Sequence, residues 1–153
     1  VVQRVAQARI TVDEKLVAAI STGLLIYLGV APSDSPDVAR HFAGRLAELR
    51  IFPDANGKMN LSLLDAGGEA LVVSQFTLFA DTSRGHRPAF TSAAGPERGL
   101  ELYQLFSDEL RRLGVSRVGH GQFGSHMLVD SVNDGPTTIV ATSSEAPWLA
   151  DCG

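Results

Sequence analysis

Glu69-Ala70-Leu71-Val72-Val73-Ser74-Gln75-Phe76-Thr77-Leu78-Phe79-Ala80 is the stretch on which the fold turns. Its first half is the strongly apolar run of a core strand. Its second half keeps the large apolar residues but inserts two hydroxyls and an amide, which a plain core strand has no need of. Read as one long strand, period-two geometry sets Ser74, Phe76 and Leu78 on one face and Gln75, Thr77 and Phe79 on the other. A second segment carries the same signal. Asn133-Asp134-Gly135-Pro136-Thr137-Thr138 reads as a turn between strands at 126–132 and 137–142. Together the two predict a polar site built from backbone and neutral side chains, with no catalytic histidine or metal.

Outward from that stretch, the chain alternates strands and helices. Residues 1–12 read as a strand, Asp13-Glu14-Lys15 as a turn and Leu16–Ile20 as the return strand. Thr22-Gly23 reads as a break before Leu24–Val30, an almost wholly apolar run that requires cover on both faces. Ser35 can cap a helix with Pro36 and Asp37 in its first turn. Val38, Phe42, Leu46 and Leu49 then give one apolar stripe over 37–50. Asp54-Ala55-Asn56-Gly57 and Gly67-Gly68 are turns. Residues 81–95 read as a surface loop, and Pro96 opens a second helix over 97–113 with Leu100, Tyr103, Phe106, Leu110 and Leu113 inward. Gly114 stops it. A short strand follows near 115–119, and residues 143–153 read as an irregular tail. The expectation is a single mixed α/β domain over 1–153, with seven or more short strands and two helices.

Bulk properties narrow the function. The chain has 153 residues, 44% of them hydrophobic, enough for a core of its own and too many for disorder. It contains no apolar stretch long enough to span a bilayer, and residues 1–5 run straight into a strand, which predicts no leader peptide. Cys152 is the single cysteine. An intrachain disulfide is therefore excluded, which fits a reducing, cytoplasmic setting. A net charge of −4 argues against nonspecific nucleic-acid binding. It leaves room for a local basic patch. Arg84-Gly85-His86-Arg87 is such a run, readable as a solvated loop or as an approach to RNA.

The catalytic vocabulary is sparse. His41, His86, His120 and His126 lack metal-ligand spacing, and no carboxylate pair is evident. Ser74 and Thr77 are candidate nucleophiles, but neither sits in a Gly-x-Ser-x-Gly elbow. They serve equally well as backbone-bonding hydroxyls. Gly119-x-Gly121-x-x-Gly124 matches a nucleotide fingerprint only superficially, because a strand follows where a helix is needed. Those glycines read instead as a close-packed backbone beside Phe123. Gly135-Pro136 reads as a plain turn or as a rigid device whose free carbonyls meet a ligand.

The chain resembles the D-aminoacyl-tRNA deacylase family over 1–139. The resemblance rests on Val2-Gln3-Arg4-Val5, Arg50-Ile51-Phe52, Gly57-Lys58-Met59-Asn60 and Ser74-Gln75-Phe76-Thr77-Leu78. It continues through Ala80-Asp81-Thr82, Gly85-x-Arg87-Pro88-x-Phe90, Phe123-Gly124-x-x-Met127 and Asn133-x-Gly135-Pro136-x-Thr138. It implies a compact β-barrel-like α/β subunit, a homodimer with active sites at the subunit interface, and no cofactor or metal. The implied reaction is hydrolysis of the ester joining a D-amino acid to the 3′ end of tRNA. By the same resemblance, Gly135 and Pro136 form a chiral selector that enters the partner subunit's pocket, with a cis peptide bond between them. Arg4 would hold that turn, with Asn133 and Thr138 part of the same substrate-binding motif. Ser74, Gln75, Phe76 and Thr77 would form the catalytic pocket for the aminoacyl group and terminal adenosine, with Met127 in its wall. Water would attack the ester with help from the terminal ribose hydroxyl, and backbone N–H groups near Phe76 and Thr77 would receive the oxyanion. A direct role for Thr77 stays open. Glycyl esters, being smaller than the intended substrate, would pass the filter.

Departures from the family pattern are few. The usual first residues before Val1 are absent, Phe79 replaces a common Tyr, and Ser125-His126 replaces a frequent Ala-Asp. The tail also runs past the usual end. A synthetase-linked editing domain and a non-catalytic module that binds RNA ends are the competing readings, and turnover separates the latter.

Overall fold

The computed structural model describes residues 1–83 and 85–143. Arg84 and all of the predicted tail except Ser143 lie outside the described residues. The elements run β1 (Val2–Val12), β2 (Lys15–Ile20), β3 (Gly23–Leu28), α1 (Pro36–Ala47), β4 (Phe52–Pro53) and β5 (Met59–Leu61). Then come β6 (Glu69–Ser74), a 3-10 helix (Phe76–Phe79), α2 (Pro96–Arg112), β7 (Val118–His120) and β8 (Leu128–Ile139).

β1 is the spine of the main sheet. It pairs antiparallel with β3 through Val2–Val5, with β2 through Ala8–Val12, and with β8 from Val2 to Thr11. β6 joins β3 in parallel and β7 joins β6 in parallel. The sheet curls until Gly119 of β7 lies against Ala18 of β2. This is the expected barrel-like α/β fold with two helices.

Alternation along the central strands explains why their sequences are apolar throughout. Leu24, Ile26, Ala70 and Val72 face a core shared with Leu46 of α1 and with Tyr103, Phe106 and Leu110 of α2. Leu25, Leu71 and Val73 face the opposite way, into a second core with Val5, Ile10 and Ile20 inside the curl. Both faces of β3 are therefore covered, as predicted, and both faces of β6 as well. Ser35 caps α1, its Oγ accepting from the Val38 N–H at 3.2 Å. α1 ends at Ala47 instead of 50, and Leu49 packs against the core from outside the helix.

Three other expectations change. Gly23 is the first residue of β3, not a break before it. A Cβ at Gly23 would sit 1.9 Å from the Glu69 carbonyl oxygen, so glycine is what lets the two backbones approach. Gly23→Ala is expected to destabilise the fold by about 3 kcal/mol, the upper end for overpacking, read from urea midpoints. Gly44→Ala is the control: a Cβ there meets nothing within 4 Å, and stability should rise by up to about 1 kcal/mol. Second, the strand predicted over 69–80 stops at Ser74. Third, 133–138 is not a turn between two strands. It is looped out of β8, which continues along β1 on either side of it.

Candidate active site

β6 stops at Ser74 because its neighbour stops. Leu28 is the last residue of β3 and pairs with Ser74; the Gln75 N–H reaches the Leu28 carbonyl at 2.8 Å, and the ladder ends there. Beyond it, Phe79 lies over Gly29, where a Cβ would come within 2.9 Å of the ring. Deprived of a partner strand, the backbone closes local bonds: Leu78 N–H to Gln75 O at 3.3 Å and Ala80 N–H to Thr77 O at 3.1 Å. The two-face alternation expected for Ser74–Phe79 is thereby replaced by a 3-10 turn.

That turn has a chemical consequence. The N–H groups of Phe76 and Thr77, first in the helix, find no acceptor among the described residues. They are unspent donors at an exposed position. The Thr77 hydroxyl accepts from the Gln75 amide, and an amide cannot serve as a general base. Ser74 and Thr77 have no histidine or carboxylate partner among the described residues. The geometry thus offers fixed hydrogen-bond donors and no activated hydroxyl.

The Gly135-Pro136 segment is built differently. Val5 pairs with Asn133 and Gln3 with Thr138, so two steps along β1 are matched by five along β8. Asp134–Thr137 loop out opposite Arg4. The Gly135-Pro136 peptide bond is cis. Asn133 braces the loop, with Nδ2 donating to Thr138 Oγ1 at 2.9 Å and Oδ1 accepting from the Thr137 N–H at 3.0 Å. Gln3 Nε2 adds a bond to Thr138 Oγ1 at 3.2 Å. Arg4 is buried beneath: Nη1 donates to Ile51 O at 2.5 Å, and Nε lies 3.0 Å from Asp134 Oδ2. The latter approach is an ion pair whose direction is not that of a hydrogen bond. Arg4, Asn133 and Thr138 thus hold the shape of the turn. Gln3 and the Ile51 carbonyl share that task and were missed, because nothing local marks either as a brace.

Met127 is half-buried against Gly121, where a Cβ would lie 2.5 Å from its sulfur. Gly119 and Gly121 are close-packed, as the sequence suggested, whereas Gly124 has open space at its Cβ position and a φ of 76°. Tyr103 donates to Val72 O at 2.8 Å, and burial pushes its phenol up to about 12. Burial, then the Arg111 charge, lowers His120, and hydrogen bonds from Ser83 hold Asp81 below the usual carboxylate range. Among the described residues no group of three or more His, Cys, Asp or Glu could hold a metal, and no helix is long and apolar enough to cross a membrane. A cleft of about 590 Å³ is lined by Leu78, Phe79, Phe42 and Phe106 but by none of Ser74–Thr77. It is separate from these donors.

The two segments do not meet within one chain. Arg4, opposite the Gly-Pro loop, pairs with Leu24, and Leu24 pairs with Ala70; Ser74 lies four residues further along β6. From β8 to β6 is three strand spacings, about 14 Å, with about 13 Å more along the strand.

Comparison with known proteins gives this pair of segments its setting. A model of the family described as D-Tyr-tRNA(Tyr) deacylase matches residues 1–142. The chain belongs to the D-Tyr-tRNA(Tyr) deacylase family. With membership comes the reaction class, hydrolytic deacylation. Among its relatives is a D-aminoacyl-tRNA deacylase of Deinococcus radiodurans, 58% identical over 139 residues, covering 91% of this chain and 95% of that one. Another, from a Roseiflexus species, is 57% identical over 144 residues, covering 94% and 92%. Of solved structures, one described as c-Myc DNA Unwinding Element Binding Protein superposes with TM-score 0.85 at 36% identity, covering 90% of this chain and 93% of that chain. A probable eukaryotic D-amino acid tRNA deacylase shares the fold at TM-score 0.78 and 18% identity, covering 88% and 92%.

Proposed function

We propose that this deacylase cleaves the ester between a D-amino acid and the 3′ end of tRNA, using a site that two copies of the chain complete together. Water adds to the ester carbonyl, and the Phe76 and Thr77 N–H groups receive the developing oxyanion. Collapse of the intermediate expels the ribose oxygen, which takes a proton, leaving the free amino acid and intact tRNA. Thr77 bonded to an amide, with no base at hand, supports water over a side-chain nucleophile. The terminal ribose hydroxyl of the RNA assists that water.

The observation that carries the shared site is the separation of the two segments within one chain. A second copy brings its own Gly135-Pro136 loop to the first copy's Ser74–Thr77. The surface suits such pairing. Thr11 pairs with both Leu16 and Leu128, so the three share one face of the sheet, and Leu16 and Leu128 are 63% and 62% exposed. Val132 is also exposed, and β8 has no partner strand on its outer edge among the described residues. The loop then excludes an L side chain by contact. A filter of that kind passes glycine, so glycyl esters mischarged on tRNA(Ala) are also substrates. The same reading puts the activity in the cytoplasm, and a single cysteine, unable to form an intrachain disulfide, is in keeping with that.

Mixing tests the shared site. Gly135→Ala spoils the loop and Phe76→Pro spoils the donors. Each variant alone should be nearly inactive. Unfolded together and refolded as a mixture, they should recover about a quarter of wild-type activity, since random pairing gives mixed dimers with one intact site. No recovery, with mixed dimers demonstrated, would mean that each chain works alone.

A further inference from the structure

Phe76 carries more than its backbone donor. The residue is 55% exposed, unusual beside a core strand, and its ring stands edge-to-face with Phe90, centroids 5.2 Å apart at 78°. An edge-to-face pair leaves the flat side of a ring open for another planar group. Phe90 follows the neck of a projecting loop. Asp81 N–H donates to Ala89 O at 2.8 Å and Ala89 N–H to Asp81 O at 3.0 Å, which closes the loop. The neck carboxylate is already engaged by the Ser83 N–H at 2.9 Å.

His86 and Arg87 lie on this loop, exposed, and form no hydrogen bond or ion pair with any described residue. Most other surface arginines are engaged; Arg117, also exposed, shares with Arg87 the lack of a side-chain partner among the described residues. Arg9, Arg40, Arg98, Arg111 and Arg112 each meet a carboxylate within 3.1 Å. What sets Arg87 apart, on a chain of net charge −4, is its place three residues before Phe90, on the loop that ends at the aromatic pair. Stacking rings with a nearby cation are what single-stranded nucleic acid requires: a surface for a base and a charge for a phosphate.

We propose that the Phe76–Phe90 pair stacks a base of the unpaired tRNA 3′ end on the 5′ side of the terminal adenosine, and that Arg87 neutralises an adjoining phosphate. The inference rests on the functional reading above and adds a second nucleotide subsite to it. Its position follows from the chemistry. The Phe76 N–H takes the ester at the strand's terminus, and an exposed ring on the same residue sits beside the held end of the RNA.

The test compares one D-tyrosyl ester carried on adenosine, on a CCA trinucleotide and on whole tRNA. For the wild-type protein, kcat/KM on the trinucleotide should exceed that on adenosine by about 10- to 100-fold, the range for one stacked base. Phe90→Leu and Arg87→Gln should each shrink that ratio, acting through KM more than kcat. Arg87→Gln should also flatten the salt dependence on the trinucleotide by about 0.7 in log–log slope, one phosphate contact on a single strand. Equal wild-type rates on adenosine and trinucleotide esters would overturn the subsite while leaving the hydrolase reading standing. Variants that slow all three substrates alike would also overturn it, showing that the ring and the loop serve only packing. No hydrolysis of any D ester would remove the functional reading, and this inference with it. Arg87 is exposed, so its variant remains a fair test if Phe90→Leu folds poorly.

Discussion

Gly135→Ala lowers kcat/KM for a D-aminoacyl-tRNA by about 100-fold, the scale of a 1 Å misplacement at a reacting centre. Gly135 holds φ 129°, a region that L residues rarely adopt. A Cβ there would lie 2.4 Å from Thr137 Oγ1, 2.9 Å from Thr137 N and 3.3 Å from Arg4 Nη2. Thr137 is buried and Arg4 is pinned to Ile51 and Asp134, so the neighbours have little room to yield. The loop itself must move. Strain of this kind costs about 1–3 kcal/mol, so the variant should still fold, with a modestly lower melting temperature. The D-over-L preference should shrink along with the rate. Steady-state kinetics on matched D and L esters, with circular dichroism as a check on folding, reads all three effects. A Gly135→Ala protein with unchanged rate and stereoselectivity would remove the loop from the mechanism.

Phe76→Pro should lose about 10²–10³-fold in kcat, the effect of deleting one oxyanion donor. Proline is tolerated at the first helical position, so the 3-10 turn can survive while the N–H disappears. Phe76→Leu keeps the donor and controls for the ring: on the adenosine ester it should lose far less in kcat than Phe76→Pro. Thr77→Ala is the complementary change. It removes the hydroxyl bonded to Gln75 but no backbone donor, and hydrolysis should persist within about tenfold of wild type, below the 10²–10⁴-fold typical of a lost acid or base. Complete loss in a folded Thr77→Ala dimer that still binds tRNA would make Thr77 the nucleophile.

What could be read in advance was what is local. The apolar runs at 24–30 and 69–73 announce core strands, the first covered on both faces, and each run does divide its residues between two cores. Ser35-Pro36 marks the start of α1 and Gly114 the end of α2, because caps are short-range chemistry. The end of β6 was not legible, since it depends on where β3 stops, some 46 residues earlier in the chain. Periodicity cannot report the loss of a neighbour. The Gly-Pro loop was legible as special but not as an excursion from a continuing strand, because its register is set by β1. Ser74–Thr77 and Gly135-Pro136 were identified as two motifs. That they stand apart in one chain is a matter of strand order, which neither motif encodes. Arg87 was legible as part of a basic run, whereas Phe90 was visible only as a letter of a motif until its ring contact with Phe76 gave it a role.

The central claim is stereospecific hydrolysis, and the most direct measurement is ester release by the purified wild-type protein from D-Tyr-tRNA, L-Tyr-tRNA and Gly-tRNA. The account predicts release from the D and glycyl esters with the L ester spared. Equal release from D and L esters, or none from any of the three by a folded dimer that binds tRNA, would contradict it.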